Sequence, residues 1–239
     1  MSRNSINTNN LLLRSLDNKI AEILNKNLTR VELHRELYFY RTGERIEKLY
    51  FPEGGIVSNV VVNDGNRTEV AIIGKEGVTG LGALLGDEIS RVQSFVQVNG
   101  STALEIGANE MREAMGEYPE LHSVIMRFAQ YSLLQSTFSI VTVSEHLLEG
   151  RLARWLLMCH DRVETDDVRI THEFMAMMIS AQRSGVTIAL HSLEGAGMIR
   201  SKRGCVTIRD REKLMELAGD SYGVPEAAYR ELIGPFGKS

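Results

Sequence analysis

The sequence predicts an α+β chain in three parts. Residues 11–118 read as a strand-rich domain, 119–148 as a long helix and 149–214 as a compact helical unit, with a tail over 215–239. Three observations lead there. From Val31 to Ile106, short β-branched and aromatic runs alternate with turn signals. From Glu120 to Leu148 there is no Gly or Pro, and apolar residues recur every three or four positions. After Ile170 the pattern becomes helix, break, helix and hairpin. At 239 residues and 43% hydrophobic content, either half can bury a core of its own.

In chain order, Leu12, Leu16, Ile20, Ile23 and Leu24 have helix spacing over 11–28. The strand runs that follow are Glu36–Tyr40, Lys48–Phe51, Ile56–Val62, Val70–Ile73 and Ser94–Val98. Turn signals separate them at Thr42-Gly43-Glu44, Pro52–Gly55, Asn63-Asp64-Gly65-Asn66, Gly74–Gly77 and Asn99-Gly100. The Asp-Gly pair between two β-branched runs predicts a tight hairpin, because such a turn needs positive φ angles. Strands at this spacing suggest a sandwich, jelly roll or small barrel. Pro119 suits the first turn of a helix. Beyond it Leu121, Val124, Ile125, Phe128, Tyr131, Leu134, Gln135, Phe138 and Thr142 share one side. A helix of about 28 residues is about 42 Å long, more than a small domain needs. The expectation is a connector that also pairs with its copy in a second subunit, across a seam made imperfect by Ser132, Gln135, Ser136 and Ser139.

The last third carries the functional pattern. Glu149-Gly150 opens a helix with Leu152, Ala153, Trp155, Leu156 and Cys159 inward, and Asp166-Asp167 marks a turn before a short strand at Val168–Ile170. Thr171 is placed as an N-cap, with Glu173 in the first turn. Phe174, Met175, Met178 and Ile179 give that helix its apolar face, and Ala176 allows close approach. Ser180-Ala181-Gln182 breaks it, with Ser180 where Gly would be cheaper by about 1 kcal/mol. A second helix over Arg183–Glu194 points Val186, Ala189, Leu190 and Leu193 inward, and shows Arg183, Ser184, Thr187, Ile188 and His191 on its other face. Met198–Ile208 reads as a hairpin turning near Lys202-Arg203-Gly204. Helix, tight turn, helix and hairpin make a winged helix-turn-helix.

DNA chemistry fits these residues. Arg183 can donate two hydrogen bonds to guanine. Ser184 and Thr187 can reach a base edge or phosphate, and Ile188 a thymine methyl. Thr171, His172 and the helix N-termini can hold phosphates, with Lys202 and Arg203 on the backbone from the hairpin tip, and Gln182 is a further candidate for DNA contact. The net charge of −4 speaks against nucleic acid when averaged over the chain. The average conceals a division. Residues 169–213 hold eight basic and four acidic groups, a balance of +4 that leaves −8 elsewhere.

Other classes are disfavoured. Cys159 and Cys205 alone build no disulfide framework, zinc ribbon or iron–sulfur cluster. Cys159 reads as core, and Cys205 falls in the wing strand. The six histidines are scattered, with no metal spacing, and no catalytic or metal residues are assigned. No Gly-rich phosphate loop and no nucleophile–base pair suggests an enzyme. No apolar run reaches membrane-span length, and residues 1–13 are too polar for a signal peptide. A soluble, cytoplasmic protein is expected. The alternative is a ligand-sensing or protein-interaction signalling module that does not bind DNA.

From Leu11 to Arg211 the sequence resembles the Crp/Fnr family of bacterial transcription regulators. The resemblance is carried by Glu149-Gly150-Arg151-Leu152-Ala153-Arg154-Trp155, Ile170–Met178, Arg183–Thr187, Gly197-Met198-Ile199 and Ile208–Arg211, with Tyr50-Phe51-Pro52, Gly55–Ser58 and Glu69-Val70-Ala71 in the first half. It implies a cyclic-nucleotide-binding-like jelly-roll sensor over 11–118, a dimerisation helix and a Crp-type DNA-binding domain. It also implies a homodimer on a palindromic duplex operator with half-sites about 34 Å apart, and RNA polymerase as a further partner. The sensor departs from the family's cyclic-AMP pattern. Leu81 stands where the ribose-binding Glu would fall, and Val92-Gln93 stand at the Arg-Ser position with Arg91 one residue early. The effector is therefore expected to be something other than cyclic AMP, or absent. Its candidate contacts are Gly80, Gly82, Arg91, Ser94 and the helical hydroxyls of Ser136 and Thr137. No iron–sulfur cysteine cluster and no cofactor is expected.

Overall fold

The computed structural model describes residues 6–98 and 102–238; the turn expected at Asn99-Gly100 and residues 1–5 lie outside them. The helix expected over 11–28 is two helices, α1 (Leu11–Arg14) and α2 (Asn18–Asn25). The break has a local cause: the Asp17 carboxylate accepts from Ile20 N at 2.9 Å and starts a new helix. Leu12, Leu16, Ile20 and Leu24 are nonetheless all buried.

Seven strands follow, with one short helix among them. They are β1 (Thr29–Glu32), β2 (Tyr38–Tyr40), β3 (Lys48–Pro52), β4 (Ile56–Asn63), β5 (Asn66–Ile73), α3 (Leu81–Leu84), β6 (Gln93–Val98) and β7 (Thr102–Gly107). They form two antiparallel sheets, β1-β7-β3 and β2-β6-β4-β5. The β4–β5 hairpin turns at Asp64 and Gly65 with φ of 49° and 78°, as its Asp-Gly pair demands. Sequence patterning overlooked β1 and β7. β1 is short and mostly exposed, so it carries no apolar alternation.

α4 (Ala108–Glu117), also unexpected, leads into α5 (Pro119–Glu145), which begins on its proline. Leu121, Ile125, Phe128 and Tyr131 of α5 seal the sandwich core. The approach is close: a Cβ on Gly77 would lie 2.3 Å from the Phe128 ring. The predicted stripe faces its own chain. A second apolar set, Leu133, Ile140 and Val143, with Leu147 just past the helix end, is exposed.

α6 (Leu148–His160), β8 (Asp167–Val168), α7 (His172–Met178), α8 (Arg183–Gly195), β9 (Ile199–Lys202) and β10 (Cys205–Ile208) form the C-terminal unit, with β8-β10-β9 as its sheet. Its core buries Leu152, Leu156, Cys159, Met175, Val186, Leu190, Leu193 and Val206. The tail, which patterning left without a role, has a definite course. α9 (Arg211–Ala218), a 3₁₀ turn and α10 (Val224–Leu232) lead back to α5. There Tyr229 and Phe236 enter the core of the sandwich, and the Tyr229 hydroxyl donates to the Glu76 carbonyl at 2.7 Å.

Buried polar contacts join the halves, and two of them involve carboxylates of the sandwich. Arg162 and Glu76 form an ion pair at 2.7 Å with both side chains fully buried. Glu69 on β5 accepts from Ser58 Oγ at 2.7 Å and from Trp155 Nε1 at 2.8 Å. Burial pushes the Glu69 carboxyl up to about 8 despite these donors. A carboxyl raised in the folded state favours folding least when it must ionise. This contribution therefore falls as pH rises from the ordinary 4.5 towards about 8. Glu69→Gln should remove that fall, measured as urea midpoints of both proteins across this range. Parallel pH curves would contradict it.

Candidate nucleic-acid interface

α7 and α8 are set by capping and by one unusual turn. Thr171 Oγ1 accepts from Phe174 N at 3.4 Å, the cap its position predicts. α7 ends at Met178, and Ser180 takes a left-handed φ of 50°. That strain is met by a residue the sequence reading did not single out. Arg151 of α6 donates through Nη2 to the carbonyls of Ile179 and Ser180, the latter at 2.9 Å. The left-handed turn exposes carbonyls that a guanidinium can cover. A basic residue one helix away gives no local signal of that role.

α8 buries Val186, Ala189, Leu190 and Leu193 and exposes Arg183, Ser184, Ile188 and His191, as its periodicity predicts. Gly185 lets α8 sit close to α6, since a Cβ there would meet Leu148 Cδ2 at 2.9 Å. A groove of about 760 Å³ runs between α8 and the wing, lined by Thr171, His172, Arg183, Lys202 and Arg203. Five of the nine residues singled out from sequence therefore share one surface. Ser184 and Ile188 continue it along the exposed face of α8, and Gln182 stands exposed at the helix mouth in extended conformation. Gly204, with φ 74°, closes the wing turn and leaves Lys202 and Arg203 exposed at the tip.

Thr187 is placed differently. It is partly buried, its hydroxyl donates to the Arg183 carbonyl at 3.1 Å, and His172 Nδ1 lies 3.1 Å from it. Its geometry fixes α7 against α8. Glu173 also lines the groove, a carboxylate among the cations. Ser201 was missed; its N–H donates to Glu194 Oε1 at 2.9 Å, tying the wing to α8.

The six effector candidates do not converge. Arg91 is spent on Asp87 at the surface, with contacts of 2.7 and 3.1 Å. Ser94 is buried, and its Oγ has no partner among the described residues. Gly80 has φ 73°, and Tyr40 Oη would lie 2.7 Å from a Cβ there, so both backbone and packing call for glycine; Gly82 packs on the Asp87 carbonyl. Ser136 donates to the Val70 carbonyl at 3.1 Å. Thr137 is exposed and donates to Leu133 O at 2.9 Å. The space between Gly80 and α5 measures only about 70 Å³.

Among the described residues no three His, Cys, Asp or Glu are grouped to hold a metal ion, and no helix is long and apolar enough to cross a membrane.

Residues 150–217 match the Crp-like helix-turn-helix domain family. Over 187 residues the chain is 26% identical to the global nitrogen regulator of a Nostoc strain, covering 74% of this chain and 82% of that protein. Over 203 residues it is 25% identical to a CRP-like cAMP-activated global transcriptional regulator of Mycobacterium tuberculosis, covering 82% and 90%. Among solved structures, FixK2 from Bradyrhizobium japonicum is similar in fold with a TM-score of 0.70 at 17% identity, covering 80% of this chain and 98% of that one. The transcriptional regulator TTHB099 of Thermus thermophilus is similar with a TM-score of 0.66 at 22% identity, covering 80% and 97%. Residues 150–217 are thus a Crp-like helix-turn-helix DNA-binding domain, carried by a chain that is similar along most of its length to CRP-like transcription regulators.

Proposed function

We propose that the chain acts as a homodimer that lays two copies of α8 into successive major grooves of a palindromic operator, about 34 Å apart. The groove that puts Arg183 opposite Lys202 and Arg203 supports the DNA part of this reading. Leu133, Ile140 and Leu147 support the dimer. Leu133 and Ile140 lie seven residues apart on α5, the spacing of a coiled-coil seam, and are 62% and 72% exposed; Leu147, in the extended link just past the helix, adds a third exposed side chain at 82%.

In this reading Arg183 grips guanine through two hydrogen bonds, and Ile188 meets a thymine methyl. Ser184 reaches a base edge or phosphate. Thr171, His172, Gln182, Lys202 and Arg203 hold phosphates, and Thr187 positions α8 through Arg183 and His172. The chain works as a regulator rather than an enzyme, in the cytoplasm, with RNA polymerase as its protein partner. Cyclic AMP is not taken as its effector, because Leu81 and Val92-Gln93 stand where the ribose- and phosphate-binding residues of cyclic-AMP binders would fall; the space of about 70 Å³ beside Gly80 agrees with this.

Binding to the DNA upstream of its own gene, followed by anisotropy across a salt series, tests this. Affinity should fall steeply with salt. Arg183→Ala should cost about 1–3 kcal/mol on the operator and little on random DNA. Lys202→Ala should weaken both alike. An equal loss on both from Arg183→Ala would refute base reading by that residue.

A further inference from the structure

A cleft of about 460 Å³ lies where the sandwich, the long helix and the reader meet. Val70 of β5, Val143 of α5, Arg151 and Trp155 of α6, and Met178 and Ile179 of the α7–α8 turn are among its walls. That volume falls within the range of small-molecule sites.

Its walls are mostly apolar, and most of their polar atoms are already engaged. Ser136 donates to Val70 O, Ser139 to Gln135 O and Thr142 to Phe138 O. Glu69 is occupied by Ser58 and Trp155. Arg154 is held by Ser139 Oγ and the carbonyls of Gln135 and Ser221. Arg151 differs. Its Nε is buried without a hydrogen-bond partner among the described residues, while its Nη2 spans the two turn carbonyls. Nε and Nη2 together form the edge with which a guanidinium grips a carboxylate, as Arg30 does with Glu53 in this same molecule. A ligand suited to the cleft therefore has an apolar body and one anionic head.

We propose that this cleft is an effector site for an amphipathic carboxylate, whose acid head takes the Nε–Nη2 edge of Arg151 in competition with the carbonyls of Ile179 and Ser180. The inference rests on the reading of α8 as the DNA reader. The same guanidinium then answers to the ligand and to the strained turn that aims α8. Occupancy removes the cover from that turn and lowers operator affinity. Elements of both halves share the cleft, so no relay between distant sites is required.

Trp155 is the single tryptophan of the chain and lines the cleft, so its emission reports occupancy directly. The full-length protein is titrated with decanoate below its micellar concentration, with methyl decanoate as the uncharged counterpart. Decanoate should produce a saturable change at one ligand per chain, with the ester weaker by about tenfold or more, as the loss of a charge-assisted contact implies. Saturating decanoate should weaken operator binding by about tenfold or more. Arg151→Gln should erase the preference for acid over ester. Val70→Phe should narrow the cleft and block both ligands without touching Arg151, which keeps the test decisive if the Arg151 variant does not fold. No saturable change, equal binding of acid and ester by the wild type, or occupancy without effect on operator binding would each overturn the proposal. Failure of the regulator reading would appear separately, as ligand-free protein that binds no operator.

Discussion

Replacing Arg162 with methionine should destabilise the protein by about 3–5 kcal/mol, the cost of leaving one partner of a buried ion pair uncompensated. Arg162 and Glu76 are both fully buried. The guanidinium also donates to the Met158 carbonyl at 2.6 Å and the Tyr131 hydroxyl at 2.9 Å, and stacks 5.2 Å from the Phe236 ring centre. Burial alone would lower the Arg162 guanidinium, but Glu76 beside it raises it above its ordinary value. Glu76 itself accepts from Gly74 N, so the variant keeps a carboxylate in place with its main counter-charge gone. Urea unfolding followed at Trp155 measures the loss. The double variant Arg162→Met/Glu76→Gln should recover a large share of it, because two neutral groups avoid the unpaired charge. A loss below about 1 kcal/mol for Arg162→Met would mean that water reaches the pair.

The second large effect is expected at the exposed face of α5. Leu133→Asp/Leu147→Asp puts one charge on the exposed face of α5 and one on the exposed apolar side chain just past its end, while leaving the buried face, from Leu121 to Thr142, untouched. Sedimentation should show a dimer for the parent chain and a folded monomer for the variant. Operator affinity should fall by about two orders of magnitude, since each reader then binds one half-site without the effective concentration its partner supplies. Salt dependence should become shallower, because fewer phosphates are neutralised per binding unit. A variant that stays dimeric would place the subunit interface elsewhere. Both residues lie outside the cleft lined by Arg151, although Ile140 and Val143 of the same exposed set border it.

Much of the reader was legible in the sequence because its signals are local. Thr171 caps because its side chain reaches a backbone N–H three residues on. The inward set of α8 repeats at helical spacing, and the wing turns on a glycine with positive φ. These interactions span a few residues, and the residue type alone announces them. α5 was half legible. Its buried stripe stands out because the residues are apolar and evenly spaced. The exposed second stripe is thinner, interrupted by Gln130, Thr137 and Ser144, and merges with the first when only spacing is read. The division of the first helix at Asp17 was missed because apolar spacing continues across it.

The sequence by itself determined the central strands of the sandwich, the long helix and the helices and hairpin of the reader, with the apolar faces of those elements and the place where positive charge collects, since hydrophobic period, caps and turn chemistry act over one or two turns of chain. The tertiary structure alone decided which charges meet. Glu76 and Arg162 are 86 residues apart, and nothing local separates Arg162 from the exposed Arg169. It decided that the tail returns to the sandwich through Tyr229 and Phe236, that Arg151 holds the reader's turn, and that the open space lies between the halves rather than beside Gly80. The physical reason is the same in each case. A long polar side chain or a cavity takes its meaning from partners that chain folding brings together, and a periodic pattern carries no record of them.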